Sequence, residues 1–189
     1  MKKVGIITFH NSYNCGSMLE TYAMQEIIKK GSLEPEIINF SSKGQINLYR
    51  AWFINNSIKN ILKNILVAPH INHIKNNNDK YIEFQRKYFN LSRFTNDSNT
   101  LKDDDYDTVI SGSDQIWNIT IDDYDDAYFL NWVKNAKKVA YSPSFGSKNI
   151  LKYSDNPDKY KNFILSYDVV SVRENNGKKW IKDLTQLDC

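Results

Sequence analysis

Five short runs of β-branched and apolar residues recur along the chain, at residues 3–9, 36–40, 108–110, 138–142 and 168–172. Stretches with helical spacing lie between them, and this alternation restricts the fold more than any other feature. The order strand, helix, strand calls for right-handed parallel crossovers. The expected fold class is therefore α/β, a Rossmann-like doubly wound parallel sheet. A length of 189 residues suits one domain with a full core.

The helical stretches are read from their apolar periodicity. Residues 17–28 place Leu19, Tyr22, Ala23 and Ile27 on one side, and Ser17 with Glu20 three positions later offers a capping box. Between about residues 44 and 94 the composition shifts to Ile, Asn and Lys. Ile58, Ile61, Leu62, Ile65 and Leu66, and later Tyr81, Phe84 and Tyr88, predict a helical insertion of two helices. Asn76, Asn77 and Asn78 are expected to form the polar linker between them. Helical material is also expected around residues 127–133, 158–165 and 176–184.

Composition excludes several function classes. The 25 basic and 22 acidic residues give a net charge of +3 and are spread along the chain, so there is no case for nucleic acid as a partner. Cys15 and Cys189 are the only cysteines, at opposite ends and without metal-type spacing, which fits a reducing cytoplasm and no disulfide framework. The apolar run after Met1, Lys2 and Lys3 stops at His10 and Asn11, so it reads as a strand and not as a signal peptide. His70 and His73 stand at i, i+3 with no acid or cysteine beside them, and Pro69 interrupts the segment; they are expected to be solvent-exposed, and no metal is expected. The acidic runs at residues 103–105 and 122–126 lack the glycine and alternating ligands of a calcium loop and read as solvated turns. Cys15 near His10 carries no nucleophile signature, and neither a GxxxxGK[ST] nor a GxGxxG motif is present.

The chemistry is expected at the carboxyl ends of the strands, where ligands of parallel sheets bind. The richest of these ends follows Val109 and Ile110. Ser111, Gly112 and Ser113 lead there into Asp114, Gln115 and Trp117. Asp114 reads either as the N-cap of the next segment with Trp117 as a core aromatic, or as a carboxylate that binds hydroxyls beside an amide and an indole wall for a sugar ring. The density of the three side chains favours the second reading. The first run opens into His10, Asn11, Ser12, Tyr13, Asn14, Cys15, Gly16 and Ser17, a phosphate or sugar contact or else a βα turn in which Asn11 and Asn14 bond local backbone. Ser142, Pro143, Ser144, Phe145 and Gly146 end the fourth run. Arg173 and Glu174 end the fifth, with Arg173 able to fork onto an anion or to pair with Glu174.

On these residues the chain resembles the N-terminal half of the polysaccharide pyruvyl transferase family. The resemblance runs through residues 11–17, Gly112 to Asn118 (GSDQIWN), Tyr128 with Phe129 and Leu130, residues 140–146 and residues 171–174, in order over nearly the whole chain. It implies the N-terminal half of a GT-B-like, two-domain enzyme of cell-surface polysaccharide biosynthesis. Such an enzyme transfers a pyruvyl unit from phosphoenolpyruvate to saccharide hydroxyls as a ketal, with no cofactor and no obligatory metal. The chain would supply the acceptor side of the cleft and end where the second domain begins. Its partners would be a saccharide acceptor and phosphoenolpyruvate, and a lipid-linked acceptor would make it peripheral to a membrane. Carried over are Asp114 as catalytic base or hydroxyl-binding carboxylate, and Asn11, Asn14, Gly16, Ser17, Ser113, Gln115, Trp117, Ser142 and Arg173 as substrate contacts. A non-catalytic saccharide-binding module and the N-terminal domain of a GT-B glycosyltransferase are the alternatives.

Overall fold

The computed structural model describes residues 1–52 and 57–189. Its sheet holds five strands, β1 (Lys3–Ile7), β2 (Glu34–Ile37), β3 (Thr108–Ser111), β4 (Lys137–Ala140) and β5 (Val169–Val170). They run in the order β2-β1-β3-β4-β5, and every pair is parallel. The helices are α1 (Cys15–Lys30), α2 (Lys43–Leu48), α3 (Ile58–Val67), α4 (Ile71–Tyr88), α5 (Ile150–Tyr153), α6 (Pro157–Leu165) and α7 (Asn175–Thr185). Strand order reverses between β1 and β3, because β2 lies on one side of β1 and all later strands on the other. That reversal opens a crevice at the carboxyl ends of β1 and β3.

Side-chain alternation explains why helices flank the sheet. Val4 and Ile6 of β1 pack with Met18, Met24 and Ile28 of α1 and with Phe89, forming the core on one face. Ile7, Val109 and Ala140 turn to the other face, where Ile164 of α6 and Ile181 and Leu184 of α7 close the larger core. A strand buried on both faces has no polar side, which is why β1 is a near-continuous apolar run, whereas β2 and β4 begin with charged residues that reach solvent. Pro35 is tolerated because β2 is an edge strand.

Several expectations are corrected by tertiary contacts. Strands β1, β2, β4 and β5 end two or three residues before their apolar runs do, since the ladder stops where the loops begin to cross over the sheet edge, whereas β3 runs one residue further, to Ser111. Helix α1 starts at Cys15 and not at Ser17; Asn14 caps it by accepting from the Gly16 and Ser17 N–H groups. Asn76, Asn77 and Asn78 lie inside α4, and the break in this region is a 3-10 turn at Ala68–His70 around Pro69. Residues 53–56 of the expected helical insertion lie outside the described residues. The stretch at 127–133 supplies only the 3-10 turn Asp126–Phe129, ended by Leu130 at φ 55°. The acidic runs are not solvated throughout. Asp103 is buried and its Oδ2 accepts three backbone N–H bonds, from Lys134 (2.9 Å), Asn135 (2.5 Å) and Ala136 (2.9 Å). Asp125 caps the turn at Ala127, Asp126 pairs with Lys159, and Asp123 is buried. Among the described residues, no helix is long and apolar enough to cross a membrane.

Candidate functional site

The crevice between β1 and β3 brings two distant sequence segments into direct contact. Ser17 Oγ, in the first turn of α1, donates to Asp114 Oδ2 at 2.5 Å, and Thr8 Oγ1 donates to the Ser113 carbonyl at 3.3 Å. Asp114 takes a left-handed backbone (φ 68°), and its Oδ1 accepts from the Gln115 N–H at 2.7 Å. The turn that delivers Asp114 requires glycine before it. Gly112 sits at φ 137°, and a Cβ there would lie 2.0 Å from the Tyr141 carbonyl oxygen. The β3 loop therefore lies directly on the β4 loop.

The remaining strand ends join the same rim by a chain of bonds. Ser144 N–H donates to the Asp114 carbonyl (2.8 Å), and Ser142 N–H donates to Ser171 Oγ (3.2 Å). Ser144 Oγ donates to Glu174 Oε1 (2.8 Å), which also accepts from Arg173 Nε (2.8 Å). Asn14, Gly16 and Gln115 are exposed along this edge, Ser17, Asp114 and Ser142 are half-buried, and Ser113 is buried. Arg173 thus pairs with Glu174 while its side chain stays partly exposed. Asn14 bonds local backbone as the cap of α1. Asn11 lies deeper, its amide donating to Ser41 Oγ (3.0 Å) and its carbonyl oxygen accepting from Gln85 Nε2 (3.2 Å).

Trp117 departs from the expected indole wall. Its ring is fully buried, stacked on Phe129 at 4.8 Å between centroids, and its Nε1 donates to the Tyr128 carbonyl at 3.2 Å. An indole with its one donor satisfied and no exposed face is a core aromatic. His10 and Cys15 are also separated. His10 is buried against the Thr8 carbonyl and Asn39, and burial holds its imidazole below the usual histidine range. Cys15 points outward to the Tyr81 hydroxyl.

Sequence reasoning missed the wall that faces Asp114. Ser42 Oγ donates to the Asp123 carbonyl (2.8 Å), and a Cβ at Gly44 would overlap the Asp122 carbonyl oxygen, so the start of α2 is pressed onto the acidic turn. This contact holds Asp123 and Tyr49 within the field of Asp114. Burial, with Asp114 and Asp122 as secondary causes, raises the Asp123 carboxyl above the usual carboxylate range. Burial first, then Asp123 and Asp114, raises the Tyr49 phenol. Beside them opens a cavity of about 340 Å³ lined by Asn11, Tyr13, Gln45, Tyr49, Arg50 and Asp79, among others. The Gln45 amide is buried with neither its nitrogen nor its oxygen bonded to any described residue. Only the glycine and the Ser42 cap hinted at this wall in the sequence, because the contact joins residues some 80 positions apart. Among the described residues, no group of three or more His, Cys, Asp or Glu side chains is arranged to hold a metal ion.

No curated protein and no solved structure matches the chain. The family described as polysaccharide pyruvyl transferase matches it over residues 14–186.

Proposed function

Because the chain belongs to the polysaccharide pyruvyl transferase family, we propose that it forms the acceptor-side domain of a GT-B-like enzyme that transfers a pyruvyl unit from phosphoenolpyruvate to saccharide hydroxyls. The reaction consumes phosphoenolpyruvate and two hydroxyls and yields a cyclic ketal and inorganic phosphate. The methylene carbon gains a proton, the first hydroxyl oxygen bonds the neighbouring carbon as its own proton leaves, and the second hydroxyl displaces phosphate. The two hydroxyl protons balance the new methyl hydrogen and the departing phosphate. Such a step needs a base at the sugar and an acid at the methylene carbon.

The observation that carries this reading is the Ser17 to Asp114 hydrogen bond at the strand-order reversal. Asp114 already accepts a hydroxyl donor there, and an acceptor sugar would present the same group. Asp123 is the second carboxyl. It is buried beside the start of α2, and burial first, then the charges of Asp114 and Asp122, raises its proton affinity. The adjoining cavity, lined by amides, phenols and charged groups, suits a hydroxylated ring. Exposed Asn14, Gly16 and Gln115 and half-buried Ser142 would border the acceptor, with Arg173 at the boundary with a second domain that grips the donor's phosphate and carboxylate. Ser113 would contribute backbone, since its side chain is buried.

The test is phosphate release from phosphoenolpyruvate, with mass detection of the pyruvylated saccharide, in the enzyme carrying its second domain. Asp114→Asn should lower kcat by about 100-fold or more with an unchanged melting temperature. Near-normal turnover would refute the assignment.

A further inference from the structure

Helix α3 is inside out for a helix exposed to water. Ile58 is 78% exposed, Ile65 63% and Leu66 75%, with Ile61 and Leu62 exposed beside them. Asn64, on the opposite side, is 3% exposed. At 3.6 residues per turn the five apolar side chains fill an arc of roughly 140°, bordered on one edge by Lys59 and Lys63. Soluble helices bury the apolar stripe and wet the polar one. Here the asparagine side is turned in and the isoleucine and leucine side out.

The charge of the stretch of chain that carries α3 is one-sided as well. From Ile37 to Asn78 the sequence holds no Asp or Glu, while Lys43, Arg50, Lys59, Lys63 and Lys75 are basic. An apolar stripe edged by lysines, within a segment free of acid, is complementary to the headgroup region of an anionic bilayer. Apolar side chains enter the acyl boundary there and lysines reach back to phosphates. A second copy of the chain fits less well. The helix is only about 15 Å long, so its stripe falls short of the ~800 Å² per partner that a stable dimer buries.

We propose that α3 is a membrane-surface helix that lies in the interface of anionic bilayers through Ile58, Ile61, Leu62, Ile65 and Leu66, with Lys59 on lipid phosphate. The proposal stands on these observations alone and does not depend on the assignment of Asp114.

Co-sedimentation of the chain with vesicles tests it. The chain should bind phosphatidylcholine vesicles containing phosphatidylglycerol at least about tenfold more tightly than pure phosphatidylcholine vesicles, and added salt should weaken the binding. Lys59→Gln should cost roughly fivefold in affinity. The double substitution Ile61→Ser with Ile65→Ser should abolish binding while leaving the far-ultraviolet circular dichroism and melting temperature intact, since both residues are exposed. Failure to bind the anionic vesicles, equal binding to both vesicle types, or unchanged binding by the double variant would each overturn the proposal. So would a concentration-dependent dimer, dissolved by the double variant, in a chain that ignores vesicles.

Discussion

Asp103 shows how much one side chain settles in this protein. Burial alone would raise its carboxyl, but backbone N–H donors from residues 134–136 outweigh that penalty and hold it below the usual carboxylate range. Removing the carboxylate leaves three donors without their acceptor. Asp103→Ala should therefore cost about 3 kcal/mol in denaturant unfolding, and the loop before β4 should lose amide-exchange protection. His10 has the opposite sign of effect on acidification that a paired histidine would have. Its imidazole is held below the ordinary 6.5, so the unfolded chain binds the proton more readily than the folded one. Stability is full above pH 6.5 and falls as pH drops from there toward the folded value. Melting temperatures measured across that window should decline in the wild type, and the decline should flatten in His10→Gln. Trp117 separates a packing role from a binding role. Trp117→Ala should cost about 3–5 kcal/mol of stability, whereas Trp117→Phe should leave the acceptor KM unchanged, because the ring touches only the core.

At the scale of elements, the junction of β1, α1 and β3 is held by caps and close approaches. Asn14 satisfies the first N–H groups of α1, and this releases the Ser17 hydroxyl for Asp114. Asn14→Ala should destabilise the protein by about 1 kcal/mol and loosen the Ser17 to Asp114 contact, seen as faster amide exchange at Gln115. The strands and most helices were legible in the sequence as apolar runs and helical spacings, but the side of α1 read as apolar was not the packed one: Leu19, Ala23 and Ile27 face outward, and Met18, Met24 and Ile28 pack on the sheet. Residues 112–118 stood out as a candidate site because small residues and clustered polar groups followed a buried strand. What was not legible depends on distant partners. Ser17, expected to cap α1, bonds instead to Asp114, 97 positions away, and Asn14 is the cap. The acidic turn at 122–126 looked solvated because nothing local announces that α2 will press onto it. Trp117 looked like a sugar platform because its stacking partner, Phe129, lies beyond the motif.

Over the whole molecule, the strand order puts β1 in contact with both β2 and β3 and gathers the polar loops at the carboxyl ends of the strands, while α3 displays an apolar side. The roles proposed for the two surfaces involve different partners, a hydroxylated acceptor at the loops and a lipid interface at the helix. They should also fail separately. Variants of α3 that no longer sediment with vesicles should retain the Ser17 and Asp114 geometry, as read from unchanged amide shifts at Gln115, while Asp114→Asn should still bind vesicles.

The two-sided pairing of β1 also bears on how the chain is made. After β2 has left the ribosome, β1 can pair on one edge only, and its other edge waits for Thr108–Ser111. At typical translation speeds that interval lasts roughly 4–14 s, during which an unpaired, apolar strand edge is open to neighbouring chains. Synthesis of this protein should for that reason be sensitive to chaperone supply, with aggregation set by elongation rate more than by the stability of the finished sheet.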